Sequence, residues 1–218
     1  MLDVGCGTGT LALLLAERGL TVTAVDPAGG SLRVARAKSG ASRVHWVHGV
    51  VADVPPMQAD LATMTANVAQ AIVDPADWDA TLHAIYRSLR PGARLAFETR
   101  NPADQAWRRW NRADTYRSTT VEGVGMVEAW EEVTHVRGPL VTFVSTRVFA
   151  VDSVVLMSES TLRFREREEV EASLAEHGYT LDDIREAADR HGREFVFIAH
   201  RPAIEYPRPA GDRPDTAE

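Results

Sequence analysis

The chain opens on a strand that runs straight into three glycines. Leu2-Asp3-Val4 has the composition of a buried strand end, and Gly5, Gly7 and Gly9 follow at two-residue spacing. Leu11, Leu14, Leu15 and Arg18 then recur at helical intervals, with Ala12 and Ala16 as good helix formers. Glycine permits positive φ and lets backbone amides approach a ligand closely. A helix that begins at such a turn presents free N–H groups and the positive end of its dipole. The next stretch, Leu20 to Val25, is apolar and β-branched and ends in Asp26. An acid at the end of a second strand, about 20 residues past the glycines, is placed to hold a ribose by its hydroxyls. Glycine turn, helix, strand and terminal acid together predict an open α/β sheet with a nucleotide-like ligand.

The glycine spacing separates the ligands that such a sheet can take. A dinucleotide fingerprint is G-x-G-x-x-G. Counted from Gly5, its third glycine falls on Thr10; counted from Gly7, it falls on Ala12, which meets only the looser form that accepts alanine. The fuller pattern is D-x-G-x-G-x-G, written here as Asp3, Gly5, Gly7 and Gly9. This resembles motif I of the class I S-adenosylmethionine-dependent methyltransferases. The resemblance covers residues 1 to 100 well and the rest loosely. In that family the glycine loop carries the methionine moiety, and the acid matching Asp26 binds both ribose hydroxyls. The resemblance therefore implies S-adenosyl-L-methionine as cofactor, held by Asp3, Gly5, Cys6, Gly7, Gly9, Asp26 and Pro27. Gly49 to Pro55 resembles the family's G-D-A-x-D-L-P segment, whose first acid contacts the adenine amino group. Val50 stands at that position here, and Val51 offers a backbone N–H. Asp53 reads as a turn-capping acid. Family members carry a few dozen residues ahead of motif I, so Met1 is expected to be a start codon placed too late; a natural minimal variant is the alternative.

Bulk properties narrow the partners. The 218 residues predict one domain. The net charge is −7, from 24 Lys and Arg against 31 Asp and Glu, with no basic cluster, which argues against a nucleic-acid substrate. No apolar run reaches membrane-spanning length, and no signal-type segment opens the chain. A single cysteine rules out an internal disulfide and suits the cytoplasm. No metal site is expected.

Further along, Ser31 is the expected cap of a helix over 32–38, and 44–47 form the third strand. Residues 61–66 form the fourth, which delivers Asn67 and Gln70 to its carboxyl end, where ligands of open α/β sheets sit. Asn67 is a candidate for the cofactor side and Gln70 for the substrate side; loop satisfaction is the plainer role for Asn67. Asp74-Pro75 starts a helix whose buried face is Trp78, Leu82, Ile85 and Leu89. Arg90-Pro91-Gly92 is a turn before a fifth strand over 93–99. Glu98 and Arg100 lie near its end, placed either to orient a substrate or to bind each other. Trp107 and Trp110, three apart, share one face if helical, as an anchor to the core or as an apolar wall for a substrate.

From 120 to 165 the chain turns rich in Val, Thr, Phe and Ser without helical spacing. Three antiparallel strands are expected near 126–136, 140–150 and 154–164. In small-molecule methyltransferases an insertion at this point covers the substrate pocket or pairs subunits, so a homodimer through the inserted sheet is one implied partner. His135, on the first inserted strand, is the best histidine candidate for a base, although a lone histidine is more often structural. A helix over 166–177 and strands over 179–185 and 194–200 follow. By the resemblance, the last strand runs antiparallel between the fifth and the sixth. The expected fold is thus α/β and Rossmann-like, a doubly wound, mostly parallel seven-stranded sheet with an antiparallel last strand and an antiparallel insertion after strand five. It occupies residues 1–200, with 201–218 as a disordered tail.

Methyl transfer from a sulfonium asks the protein mainly to align the acceptor and exclude water. A base is needed only for an acceptor that arrives protonated. The expected activity is therefore methyl transfer to a small molecule by in-line displacement. The alternatives are a non-catalytic protein that binds S-adenosylmethionine or S-adenosylhomocysteine and, third, a dehydrogenase.

Overall fold

The computed structural model describes residues 1–203. The first five strands are β1 (Leu2–Val4), β2 (Val22–Asp26), β3 (Val44–His48), β4 (Ala59–Met64) and β5 (Leu89–Arg100). The insertion holds β6 (Arg117–Val121), β7 (Gly125–Arg137), β8 (Leu140–Phe149) and β9 (Val155–Arg163), and the chain then returns for β10 (Thr180–Glu186) and β11 (Glu194–His200). The main sheet has the order β10-β11-β5-β4-β1-β2-β3. β1 pairs in parallel with both β2 and β4, so Val4 lies beside Val25 on one side and Met64 on the other. β11 runs antiparallel to β5 and to β10, the placement expected of the last strand. Parallel strands covered on both faces read as continuous apolar runs, and Leu2, Val4, Ala62 and Met64 are buried accordingly.

The helices are α1 (Thr10–Glu17), α2 (Gly29–Ala37), α3 (Val68–Ala71), α4 (Pro75–Ser88), α5 (Arg112–Thr115) and α6 (Arg167–Glu176). α1 packs Ala12, Leu13 and Ala16 on Val22, Ala24 and Val44. α4 starts as its Asp-Pro pair dictates, with Asp74 accepting the Ala76 N–H at 2.7 Å. Its Trp78, Leu82 and Ile85 enter the main core with Leu95, Phe97 and Phe197, and Val170 and Leu174 of α6 join them.

Several boundaries differ from the sequence expectation. α2 begins at Gly29 with Ala28 at its cap, so Ser31 lies inside the first turn and caps nothing. Asp26 Oδ1 accepts the Ala28 N–H at 2.8 Å, and that bond turns the chain into the helix early. β4 stops at Met64 because Ala66 and Asn67 both adopt left-handed backbone, at φ 60° and 68°. Leu89 caps α4 and opens β5 while staying buried with Trp78, Leu82 and Ile85, and 90–93 bulge within that strand, since Ala59 pairs with Leu89 and Leu61 with Arg94. The insertion has four strands, not three. β6 is exposed along its whole length, so no alternation of apolar residues announces it. Trp107 and Trp110 lie on and beside a short 3-10 turn over 106–109, not on an α-helix. Both rings pack on Phe164, with centroids 4.6 and 6.1 Å away, and Trp110 also meets Phe143 at 4.9 Å. Of the expected tail, Arg201 is fixed: its N–H reaches Ala93 O at 2.9 Å and its Nη1 reaches Leu89 O at 2.7 Å. Residues 204–218 lie outside the described residues. No described helix is long and apolar enough to cross a membrane.

Candidate functional site

The tips of β1, β2, β4 and β5 converge on one edge of the sheet. The glycine loop lies across the first two. Val25 O accepts the N–H groups of Gly5 (2.8 Å) and Cys6 (3.1 Å), which pins the loop to β2. Gly5, Gly7 and Gly9 have φ of 68°, 54° and 77°, so all three need the left-handed region. Their surroundings differ. A Cβ on Gly5 would overlap the Val68 methyls, and one on Gly9 would overlap the Trp46 ring. A Cβ on Gly7 would meet nothing within 4 Å. The outer glycines therefore serve packing, and the middle one faces open space.

Asp26 closes the cradle. Its Oδ2 accepts the Gly7 N–H and its Oδ1 the Ala28 N–H, each at 2.8 Å. A carboxylate oxygen has two lone pairs, so each oxygen keeps one acceptor site for a ligand. Beneath the loop, Asp3 is 1% exposed. Thr63 Oγ1 donates to its Oδ1 at 3.2 Å, while its Oδ2 is buried with no hydrogen-bond partner. Burial, together with the charge of Asp26, pushes the Asp3 carboxyl up to about 6. A buried anion with an orphaned oxygen is costly unless a donor or cation meets it. Cys6 stays a thiol, since burial and the two aspartates push it up to about 12.

A cavity of about 250 Å³ adjoins this loop, lined by Gly5, Asp26, Pro27, Val50, Val51 and Val68 among others. Its walls are largely apolar, with Asp26 at one end. Val50 is 55% exposed, and its N–H is taken by Asp53 Oδ2 at 2.9 Å, so Asp53 caps the turn as expected. The acceptor capacity left on Asp26, the apolar slot and the orphaned carboxylate fit a ligand with an aromatic base, a ribose and a cationic end. Among the described residues no group of three or more His, Cys, Asp and Glu side chains is arranged to hold a metal.

Past β4 the backbone is fixed from several sides. Glu98 Oε1 accepts the Asn67 N–H at 3.0 Å, and Arg100 Nε donates to Asn67 Oδ1 at 3.0 Å. Glu98 and Arg100 thus both bind Asn67 instead of each other. Two consecutive left-handed non-glycine residues store strain that these bonds hold in place. Glu98, Asn67, Arg190 and Glu194 line a second cavity of about 370 Å³ over the tips of β4, β5 and β11. Burial pushes the Glu98 carboxyl above its ordinary value, with Glu194 adding to the effect. Arg190 Nη1 pairs with Glu194 at 2.7 Å.

The first 92 residues match the family model described as a methyltransferase domain. Over those residues the chain is similar to the class I S-adenosylmethionine-dependent methyltransferases. A ubiquinone biosynthesis O-methyltransferase of Klebsiella pneumoniae is 36% identical over 112 residues, 49% of this chain and 45% of that protein. The chain spans about half the length of the curated relatives it matches. Among solved structures, the CcbJ methyltransferase of Streptomyces caelestis superposes with a TM-score of 0.76 at 19% identity, over 93% of this chain and 83% of that one. An amino pentose methyltransferase from Micromonospora echinaspora, solved with S-adenosylmethionine bound, gives 0.69 at 24% identity, over 92% and 82%. These likenesses extend the methyltransferase fold across the insertion and the last strands.

The fold brings together Asp3, Gly5, Cys6, Gly7, Gly9, Asp26, Pro27, Val50 and Val51, with Asn67, Glu98 and Arg100 at the neighbouring strand tips. Other candidates lie apart. Gln70 is 1% exposed, and its Oε1 accepts the Arg100 N–H at 3.1 Å, which ties α3 to the end of β5. Trp107 and Trp110 belong to the core of the insertion. Trp107 also lines a separate cavity of about 410 Å³ with Pro102, Pro139 and Phe164. His135 is exposed on β7 opposite Thr142 and lines none of these cavities. Sequence reading missed Trp46, whose indole floors Gly9 and donates to Ala41 O at 2.9 Å, and Arg165, which no local motif marks.

Proposed function

We propose that the chain is an S-adenosylmethionine-dependent methyltransferase that acts on a small-molecule acceptor carrying a protonated nucleophile, an amine or a hydroxyl. The observation that carries this reading is the open space over Gly7 beside an Asp26 carboxylate with acceptor capacity left on both oxygens. Gly5, Cys6, Gly7 and Gly9 cradle the cofactor, Asp26 and Pro27 hold its ribose, and Val50 and Val51 line the base. Asp3, buried beneath the loop with Oδ2 unpaired, sets a negative charge under the cationic end, and Asn67, on the neighbouring cavity, marks the boundary with the acceptor. When bound, S-adenosylmethionine supplies a methyl group on a sulfonium that leaves by in-line displacement.

The acceptor is seated over the tips of β4, β5 and β11. Glu98 lines that cavity and takes the acceptor's proton, and burial, which raises its pKa above the ordinary carboxylate value, makes it a stronger base. Arg100 and Arg190 hold Asn67 and Glu194 and keep the seat in shape. The single cysteine supports a cytoplasmic setting. Residues 1–200 work as one domain, and two copies associate through the insertion. Supporting that association, Leu156 and Met157 on the outer strand β9, and Val151 at its turn, are exposed apolar residues. Val50, in place of an acid, favours the second reading, a binding protein without turnover.

Calorimetric titration with S-adenosylhomocysteine, with NADH as control, tests the cofactor. Binding of the first alone is expected. Asp26→Ala is expected to weaken it at least tenfold, since hydrogen bonds to a charged acceptor contribute about 1.5–3 kcal/mol. Labelled-methyl transfer to panels of small amines and hydroxyls separates an enzyme from a binding protein. Binding of NADH alone would overturn the reading.

A further inference from the structure

The wall of the cofactor cavity formed by α3 cannot stand by itself. α3 has four residues, far fewer than an isolated helix needs in water. Its first residue, Val68, lies over Gly5, and Ala71 and the following Ile72 line the 250 Å³ cavity. At its start, Asn67 and Gln70 are tied to β5 through Glu98 and Arg100. At its end the carbonyls of Ala69 and Ile72 have no following turn to bond them, and helix-end carbonyls carry partial negative charge.

Both carbonyls are bonded by one side chain from almost a hundred residues away. Arg165 Nη1 donates to Ala69 O and Nη2 to Ile72 O, each at 2.8 Å. The guanidinium lies 4.4 Å from the centroid of the Trp78 ring, and the side chain is 2% exposed. Its nearest carboxylate, Glu169, is 3.8 Å from Nε, so the close partners are neutral carbonyls and an aromatic face. Arg165 stands on the two-residue link between β9 and the cap of α6, where the insertion rejoins the sheet. A buried cation is retained at such a point only if its bonds repay its desolvation.

We propose that Arg165 is a positioning residue that couples the inserted sheet to the cofactor site, by seating α3 against the glycine loop. Movement of the insertion relative to the sheet is transmitted through the guanidinium fork to the Val68–Ile72 wall. Lysine cannot replace it fully, because a single ammonium lacks the planar fork that reaches two carbonyls at once.

The test compares Arg165→Met and Arg165→Lys with Leu174→Ala in the full chain. Leu174 is buried on α6 in the core that also holds Ala69 and Trp78, and its truncation weakens that core while leaving the guanidinium's bonds to the Ala69 and Ile72 carbonyls in place. Amide hydrogen exchange and S-adenosylhomocysteine affinity are both read, well below each variant's melting temperature. Arg165→Met is expected to speed exchange at residues 70–72 at least tenfold and to weaken affinity at least tenfold, with β5 amides still protected. Arg165→Lys is expected to recover part of both, and Leu174→Ala to lower Tm while leaving both unchanged. Equal effects of Arg165→Met and Leu174→Ala, or unchanged exchange at 70–72, would overturn the proposal. If Arg165→Met does not fold, Arg165→Lys against wild type decides it by the same exchange reading. The exchange measurement needs no ligand, so failure of the wild type to bind would count against the cofactor reading and not against this one.

Discussion

Asp3→Asn is expected to push stability and binding in opposite directions. In the free chain the Asp3 carboxyl is buried, accepts one bond from Thr63, and leaves Oδ2 without a partner. Its pKa is raised from 3.8 to about 6. At 1.36 kcal/mol per unit, this corresponds to roughly 3 kcal/mol of destabilisation once the group is ionised. The sign follows from proton binding. The folded chain holds this proton more tightly than the unfolded chain, so stability falls as pH rises from 3.8 to about 6 and the full cost persists above that. Asparagine removes the charge and keeps an oxygen for Thr63, at the expense of new amide hydrogens to satisfy. The variant should therefore gain about 1–3 kcal/mol at pH 8, a rise in Tm of roughly 2–10 °C for a chain of this size. At pH 5 the gain should be about half as large. Scanning calorimetry of wild type and variant without ligand, at both pH values, measures it. Affinity for S-adenosylhomocysteine should fall about tenfold or more, because a cationic group loses its anionic partner. A variant that melts below wild type at pH 8, or a Tm difference independent of pH, would refute the assignment of strain to Asp3.

Two other perturbations separate packing from binding. Gly5→Ala drives a methyl into Val68 and should lower Tm and affinity together, whereas Gly7→Ala has room for its methyl. Its cost should be limited to the left-handed backbone, about 1–2 kcal/mol, while affinity collapses; circular dichroism and titration read the pair. Glu98→Gln should remove the acidic limb of the kcat/KM–pH profile, which in wild type lies above the ordinary carboxylate range, and an unchanged limb would exclude Glu98 as the base.

The parts of the site legible in the sequence are those written in adjacent residues. Gly5, Gly7, Gly9 and Asp26 follow a spacing that backbone geometry imposes, and the alternation of strands and helices around them points to a doubly wound α/β sheet. Asp74-Pro75 announces its helix because capping is local. What escaped depends on distant partners. Arg165 reaches α3 across more than ninety residues, and nothing beside it in the chain hints at two carbonyl partners. Gln70 reads as a ligand contact by position, and its Oε1 accepts the Arg100 N–H while its Nε2 is buried without a partner. His135 attracts notice as a histidine on a strand, but β7 carries it to an exposed surface, a property of tertiary placement. β6 is invisible to pattern reading because no face of it is buried.

The reversal of β11 shapes how such a protein changes over time. Because β11 runs against β5, the connection from β10 turns around at the ligand edge of the sheet, and Ala187 and Arg190 from that connection border the cavity at Asn67 and Glu98. The glycine loop is held by close neighbours, Val68 against Gly5 and Trp46 against Gly9. The hairpin is looser: its residues between Ala187 and Arg193 are largely surface, with Arg190 tied to Glu194. If the acceptor sits in this cavity as proposed, preference among acceptors can diverge through the length and charge of one short hairpin, while the glycine loop and the core keep their packing.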